Sequence, residues 1–313
     1  MPAVRAAVLH ELGGVPRYGE FDDPVGRADG VVVDVTLAAL NPVDIAISTG
    51  LMRPVQPPAV MGEEGVGAYD GRRVYFQTCL KPFGSFAERT LVDPETLIDV
   101  PDDVDDGQAL CLGIAGMAAW NALEWSGRLK QGESVLVLGA SGVVGQLTVQ
   151  AAKILGASRV VAAARDEGML ARCRELGADA TVHLAGTQEE IAERLAAEAG
   201  DGYDVVVDVL WGETAAAALP ALAFRGRFVQ VGNSASPTAE VSSRGLRVKL
   251  AEILFYSDYS LPQEDKARSF ARMCEHAARG ELRVEVEELP LSEVASAWEQ
   301  QRTSPHRKLL LRP

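Results

Sequence analysis

The sequence predicts an α/β protein in which a doubly wound parallel sheet accompanies a second, β-rich domain. Three observations predict this fold. The first hundred residues alternate short strands with turns, single strands alternate with single helices from about Gly107, and a glycine-rich turn joins a buried strand to an amphipathic helix. With 313 residues, 47% of them hydrophobic, the chain is long enough for two domains with cores of ordinary size.

The β-rich part is predicted from short runs of alternating or apolar residues between glycines and prolines. These runs lie at Gly30–Leu40, Gly71–Phe76 and Gly84–Asp93.

The parallel sheet is predicted from the second half of the chain. Ser134–Gly139 is a continuous apolar strand, as expected where both faces of a sheet are buried. Further strands are predicted at Ser158–Ala164, Asp179–Leu184, Tyr203–Leu210 and Gly226–Gly232, and helices at Glu167–Leu176, Gln188–Gly200 and Glu213–Phe224. A helix at Glu264–Gly280, a strand at Leu282–Leu289, a short helix near Ser292–Gln301 and a last segment Lys308–Pro313 follow.

Charge and cysteine content indicate which partners and which cellular compartment to expect. The formal net charge of −14 disfavours nucleic acid and anionic membranes as partners. No apolar run reaches the length of about 20 residues that a membrane helix needs. The four cysteines are widely separated and are expected to be reduced thiols, so we expect a cytoplasmic protein.

The glycine-rich turn Gly139–Gly145 indicates a dinucleotide site. Its small residues allow the backbone to approach a pyrophosphate, whose charge is favoured by the free N–H groups at a helix start. The predicted contacts come from Ala140, Ser141, Gly142, Val143 and Val144. The alternatives are a purely structural turn and another nucleotide.

The end of the following strand favours NADPH over NADH. An NAD site usually places an acid about 20 residues past the glycines, where it binds the ribose 2′-hydroxyl. Here that position is Ala164, followed by Arg165, whose guanidinium suits a 2′-phosphate. Asp166 lies one residue too far along. A solvated loop arginine is the alternative for Arg165.

Several segments in order resemble the zinc-free quinone oxidoreductase branch of the medium-chain dehydrogenase/reductase superfamily. They are Leu37–Gly50 (LAALNPVDIAISTG), Met61–Gly67 (MGEEGVG), Gly84–Arg89 (GSFAER), Gly113–Trp120 (GIAGMAAW), Leu176–Asp179 (LGAD) and Lys308–Pro313 (KLLLRP).

The resemblance implies a GroES-like, β-rich catalytic domain over residues 1–107 and 268–313 and a Rossmann domain over residues 108–267. It also implies a homodimer that forms edge to edge across the cofactor domains, and it places Gly232 and Asn233 beside the nicotinamide.

Departures from the superfamily's zinc enzymes imply a reaction without metal. Those enzymes carry a cysteine where this chain has Asn41 and a histidine in the segment that is Met61-Gly62-Glu63 here. The four-cysteine structural zinc loop is also missing. A zinc alcohol dehydrogenase is therefore the weakest of the enzyme hypotheses.

A second departure bears on the substrate, which the resemblance implies is a small molecule. Related enoyl reductases carry a tyrosine where this chain has Met52, and a thioether donates no proton. We therefore expect an NADPH-dependent reductase of quinones or related conjugated carbonyl compounds. The alternatives are a 2-enoyl or alkenal reductase and a non-catalytic NADPH-binding sensor.

The resemblance leaves Asn41 and Asp44 near the expected nicotinamide as candidate catalytic residues. Asn41 could bind a substrate carbonyl or a nicotinamide-side group, and Asp44 could hold the loop. The alternative for both is a local turn role, which is common for Asn-Pro and Asp side chains.

Overall fold

The computed structural model describes residues 2–313, which form two compact units. Among these residues, unit 1 comprises 2–114, 270–278 and 283–313, and unit 2 comprises 115–269 and 279–282. The expected first domain boundary, at residues 107 and 108, falls inside a helix that begins at Asp106. No helix within residues 2–313 is long and apolar enough to cross a membrane.

The strands and helices are numbered in chain order. The strands are β1 (Ala3–Leu9), β2 (Arg17–Asp22), β3 (Val31–Leu40), β4 (Ala59–Val60), β5 (Glu64–Tyr69), β6 (Arg72–Gln77), β7 (Arg89–Val92), β8 (Ile98–Asp99), β9 (Ser134–Leu138), β10 (Arg159–Ala164), β11 (Ala180–His183), β12 (Tyr203–Asp208), β13 (Leu222–Gln230), β14 (Glu252–Phe255), β15 (Val286–Pro290) and β16 (Lys308–Arg312). The helices are α1 (Pro42–Ser48), α2 (Asp106–Cys111), α3 (Met117–Asn121), α4 (Val143–Ile154), α5 (Glu167–Glu175), α6 (Gln188–Ala199), α7 (Gly212–Ala218), α8 (Ser243–Lys249), α9 (Gln263–Ala278) and α10 (Val294–Arg302).

Unit 1 is β-rich, as predicted. A seven-stranded sheet has the order β15-β16-β3-β5-β6-β8, with β7 also paired to β3, and a three-stranded sheet has the order β2-β1-β4. All pairs are antiparallel except β15 with β16. The core of this unit contains Trp298, Phe76, Phe86 and Leu309, none of them exposed to solvent. The strand β16 lies between β15 and β3, so residues from the C-terminal part of the chain complete one side of this sheet.

Unit 2 contains a six-stranded parallel sheet in the order β11-β10-β9-β12-β13-β14. Counted from the first strand of the unit, this order is 3-2-1-4-5-6, which is that of a doubly wound dinucleotide-binding fold. Its central strands β9 and β12 are almost entirely buried, which explains why their sequences are continuously apolar rather than alternating. The predicted fold class is confirmed.

Two element predictions differ from the structure. The helix predicted over Glu213–Phe224 is wrong at its end, because α7 stops at Ala218 and Leu222 already begins β13. Pro220 lies in a short 3₁₀ helix, Leu219–Ala221, between them, and because it has no N–H to donate it cannot extend the α-helical hydrogen bonding of α7. The strand predicted over Leu282–Leu289 lies later, at Val286–Pro290.

Candidate functional site

The glycine turn of unit 2 joins β9 to α4, and two of its three glycines are required by the fold itself. Gly139 has a φ of +79°, and a Cβ atom there would lie 2.4 Å from Val209 Cγ2. A Cβ atom on Gly145 would lie 2.3 Å from the Gly139 carbonyl oxygen. These two glycines therefore permit close packing inside the unit, with or without a ligand.

Gly142 has no such internal requirement. Its φ is −75°, and a Cβ atom there would meet only the Gly139 carbonyl oxygen, at an ordinary 3.7 Å. As the N-cap residue of α4 it also leaves the first turn of the helix without a capping side chain. Open space above an uncapped helix start fits a ligand phosphate, which needs close backbone approach and free N–H groups.

Three neighbouring elements hold this loop in place. The Gly139 and Ala140 N–H groups both donate to the Ala163 carbonyl of β10 at 3.0 Å. The buried Gln146 side chain of α4 donates to the Ser141 carbonyl at 2.9 Å, and the Cys173 thiol of α5 lies 3.4 Å from the Ala140 carbonyl. The loop is thus preorganised by α4, α5 and β10.

The end of β10 carries the residues predicted to choose between the two dinucleotides. β10 ends at Ala164, and Arg165 follows it with an exposed side chain. The Asp166 carboxylate caps α5 by accepting the Met169 N–H at 2.7 Å. The nearest acid is therefore engaged in helix capping, and Arg165 is the charged residue presented at this strand end.

Gly232 and Asn233 follow β13 at the same edge of the parallel sheet. The Gly232 N–H donates to the Asp208 carbonyl at 3.2 Å, and Gln230 Nε2 donates to the Gly232 carbonyl at 2.8 Å. Asn233 is exposed to solvent. Carboxyl ends of parallel strands meet at one edge, so all predicted cofactor residues are brought together there. We call this edge of unit 2 the cofactor edge.

Asn41 lies in unit 1, inside a buried polar cluster formed by Asn41, Glu64, Tyr75 and Lys308. Lys308 Nζ donates to Asn41 Oδ1 and to Glu64 Oε1, both at 2.7 Å. Asn41 Nδ2 donates to Glu64 Oε1 at 2.8 Å and to the Ala39 carbonyl at 3.3 Å. Both amide hydrogens are therefore used within the unit, and direct binding of a substrate carbonyl by Asn41 stays a prediction.

The second oxygen of Glu64 completes the buried polar cluster. Glu64 Oε2 accepts the Tyr75 hydroxyl at 2.9 Å and the Ile114 N–H at 2.8 Å. Glu64 is 0% exposed and Lys308 is 2% exposed, so this ion pair is fully withdrawn from water. Sequence reasoning assigned no role to either residue. The available signal was a lysine at the start of an otherwise apolar strand, Lys308-Leu309-Leu310-Leu311.

Asp44 caps the start of α1 and is also buried. Its Oδ2 accepts the Asn41 N–H at 2.8 Å, and Oδ1 has no hydrogen-bond partner within residues 2–313. The neighbouring cations are engaged elsewhere: Lys308 with Glu64, and Arg53 and Lys81 with Glu63. Burial, together with the charge of Glu63, raises the pKa of Asp44 to about 8.

The ionisation of Asp44 gives a pH-dependent prediction. Its pKa is raised from 3.8 to about 8 in the folded state, so folding favours the protonated form. That contribution to stability is fully present below the unfolded pKa of 3.8 and has been lost once the pH has risen through about 8. Between these two pH values we expect the free energy of unfolding of wild type to fall relative to that of Asp44→Asn. Urea unfolding at several pH values measures this difference, and a constant difference contradicts the prediction.

No group of three or more histidine, cysteine or acidic side chains within residues 2–313 is arranged to hold a metal ion. All four cysteines are free and buried, and burial raises the pKa of Cys79 and of Cys111 to about 12. In the absence of a bound metal, the Cys79 and Cys111 thiols stay protonated at neutral pH.

The fold order, the glycine loop and the arginine at the end of β10 together define a dinucleotide-binding oxidoreductase scaffold. A family model described as zinc-binding dehydrogenase matches residues 143–266. That segment contains one cysteine and one histidine, Cys173 and His183. The 2-haloacrylate reductase of Burkholderia sp is 31% identical over 270 residues, which cover 79% of each chain.

Other relatives extend over nearly the whole chain. The Homo sapiens quinone oxidoreductase is 25% identical over 315 residues, covering 95% of this chain and 93% of its own. The solved quinone oxidoreductase of Thermus thermophilus superposes with a TM-score of 0.81 at 27% identity, covering 99% of this chain and all of its own. This chain belongs to the quinone oxidoreductase branch of the medium-chain dehydrogenase/reductase superfamily, and it is an oxidoreductase.

Proposed function

We propose that this protein is an NADPH-dependent, metal-independent reductase that delivers hydride to quinones or related conjugated carbonyl compounds. The observation that carries the proposal is the cofactor edge. It combines an open Gly142 at an uncapped helix start with an arginine, rather than an acid, after β10. Two solved relatives that are complexed with NADPH, the quinone oxidoreductase of Thermus thermophilus and a mycobacterial protein, support this choice of cofactor.

Bound NADPH supplies the hydride, and this chain contributes binding and orientation. The glycine loop presents N–H groups to the pyrophosphate, and Arg165 presents its guanidinium to the 2′-phosphate. Gly232 and Asn233 are proposed to contact the nicotinamide end. In unit 1 we propose that Asn41 and Asp44 hold the loop from Asn41 to Gly50, through the hydrogen bonds to Lys308, Glu64 and each other.

A quinone is a suitable substrate because its reduction does not require the protein to supply a proton donor. Hydride transfer to a quinone gives a hydroquinone anion, which can take its proton from water. Met52 is about half exposed and donates no proton, so the phenol of related enoyl reductases has no substitute at that position.

The second candidate function is reduction of a carbon–carbon double bond conjugated to a carbonyl group. Two relatives favour it: the 2-haloacrylate reductase, and a 2-methylene-furan-3-one reductase of Solanum lycopersicum that is 32% identical over 202 residues. In this reaction hydride adds to one carbon, and the neighbouring carbon takes a proton from solvent.

Oxidation of NADPH and NADH against a 1,4-quinone and a 2-alkenone, measured side by side on metal-free protein, tests the proposal. Quinone turnover with NADPH supports the first function, and enone turnover alone supports the second. Tight binding of NADPH without any turnover contradicts both.

Replacing Arg165 with alanine tests the cofactor preference. We expect affinity for NADPH to fall by about tenfold or more, because a charge-assisted contact to phosphate is lost, while affinity for NADH is unchanged. Arg174→Ala, at the other end of α5, removes the same charge and serves as the matched control. Equal losses for both dinucleotides would remove the 2′-phosphate role from Arg165.

We further propose a homodimer formed through β14, the edge strand of the parallel sheet. Large apolar side chains on or beside this strand are exposed: Phe255 by 67%, Val248 by 75% and Leu250 by 58%. An open strand edge with exposed apolar residues favours pairing with a second copy. Sedimentation of the purified chain tests this, and a monomer at micromolar concentration overturns it.

The four free cysteines support our proposal that the protein works in the reducing cytoplasm. Fractionation of cells followed by immunodetection tests it, and recovery from an oxidising compartment contradicts it.

A further inference from the structure

Asp208 is a buried carboxylate at the cofactor edge that the proposed reaction does not use. It ends β12 and is 0% exposed. Its Oδ1 accepts the Leu210 N–H at 2.8 Å, and its two oxygens accept the Trp211 N–H at 3.0 and 3.2 Å. The carboxylate thus binds the backbone of two residues in the turn that follows β12.

That turn includes a tryptophan in a conformation that favours glycine. Trp211 has a φ of +61° and a ψ of −162°. A bulky L-residue adopts such angles only when surrounding interactions impose them, because its Cβ atom is crowded by the backbone. The Trp211 N–H donates to both oxygens of Asp208, which holds its backbone. The indole ring also packs edge-on against Phe228 and Phe255.

The same turn packs directly on the glycine loop. A Cβ atom on Gly139 would lie 2.4 Å from Val209 Cγ2 and 3.1 Å from Leu210 Cδ2. A shift of Val209 or Leu210 towards the glycine loop would therefore push against Gly139, the first glycine of that loop.

On its other side, the turn supports the segment proposed to contact the nicotinamide. The Asp208 carbonyl accepts the N–H groups of Val231 at 2.7 Å and Gly232 at 3.2 Å. The Val209 carbonyl accepts the Ser234 N–H at 3.2 Å and its hydroxyl at 2.9 Å. Residues 208–211 therefore lie between the glycine loop and the segment Gly232–Ser234.

We propose that Asp208 is a positioning residue for NADPH. Its carboxylate holds Trp211 in the strained conformation and thereby fixes the turn on which both cofactor-binding segments rest. This inference depends on the proposed cofactor. The Asp208 carboxyl group is mostly ionised at neutral pH. Burial raises its pKa to about 6, and the hydrogen bonds from the Leu210 and Trp211 N–H groups oppose the rise.

Asp208→Asn is the direct test, with Asp204→Asn as its matched control. An asparagine keeps one acceptor oxygen but turns an N–H₂ group towards a backbone N–H, so one bond becomes a repulsion. We expect the dissociation constant for NADPH to rise by about tenfold. Asp204 lies near the start of the same strand, far from the cofactor edge, and its Oδ2 accepts the Ser134 N–H at 2.8 Å. Its variant should bind NADPH like wild type.

Two variants at position 211 separate positioning from a general loss of structure. Trp211→Ala and Trp211→Gly both remove the indole, but only glycine removes the backbone strain. If Asp208 acts by holding residue 211, Asp208→Asn should still weaken NADPH binding about tenfold in the alanine background and less than about twofold in the glycine background.

Titration of NADPH against the purified full chains, followed by tryptophan or nicotinamide fluorescence, gives the outcomes. Equal effects in the two backgrounds, or an unchanged affinity in Asp208→Asn, overturn the inference alone. Failure of wild type to bind NADPH overturns the proposed cofactor as well. If Asp208→Asn does not fold by itself, recovery of binding in Asp208→Asn/Trp211→Gly but not in Asp208→Asn/Trp211→Ala supports the inference, and loss of binding in both overturns it.

Discussion

Replacing Gly142 with aspartate is expected to weaken NADPH binding by about a hundredfold or more while leaving the fold intact. The side chain would place a negative charge and its volume where the pyrophosphate approaches the start of α4. The backbone accepts the change, because φ is −75° and a Cβ atom has open space. Aspartate is also a favourable N-cap residue, so the melting temperature should be unchanged or higher.

Weaker NADPH binding together with an unchanged or higher melting temperature would distinguish loss of the phosphate site from loss of the fold. Calorimetric titration with NADPH and thermal unfolding are measured on the same preparations. Gly19→Asp is the control, since Gly19 lies on β2 in unit 1 and a Cβ atom there meets nothing within 4 Å. Unchanged NADPH affinity in Gly142→Asp would refute the phosphate-binding role of the loop.

Replacing Lys308 with methionine is expected to lower the free energy of unfolding by about 3–5 kcal/mol. The thioether fills a similar volume but leaves the Glu64 carboxylate buried without its cation. Glu64 then keeps the Asn41, Tyr75 and Ile114 donors, all of which are uncharged. Chemical denaturation measures the loss, and Lys130→Met, at an exposed lysine, should change stability by less than about 0.5 kcal/mol.

The double variant Lys308→Met/Glu64→Gln shows whether the buried charge is the cause. Removing both charges avoids an unpaired carboxylate, so the double variant should be more stable than Lys308→Met alone. Additive losses would mean that Lys308 stabilises unit 1 through packing rather than through the ion pair.

The cofactor edge could be predicted from the sequence because its signals are local. Strand, turn and helix follow one another from Ser134 to Ile154, and the end of β10 follows within about twenty residues of the glycines. Burial on both faces gave the strands a continuous apolar pattern, and the helices stop near glycines. The sequence set Asp166 aside because it lies one residue past the expected ribose position, and in the structure its carboxylate caps α5.

The buried polar cluster could not be predicted, because its members are far apart in the chain. Lys308 and Glu64 are separated by 244 residues, and no periodicity links them. Asp208 presented a different difficulty. The sequence marks it as a polar residue at a strand end, but its importance depends on the dihedral angles of Trp211, which no residue pattern reveals.

The return of residues 283–313 to unit 1 has a consequence for the order in which the chain folds during synthesis. Unit 2 is almost continuous in sequence and has all its residues once the ribosome has passed Leu282. Unit 1 begins first, yet Glu64 waits for its partner until Lys308 has emerged. Domains made on ribosomes commonly fold from the N-terminus onwards. In this protein the unit that is synthesised first completes its core last. Until the end of translation, its sheet lacks β15 and β16 and Glu64 lacks the ion pair with Lys308.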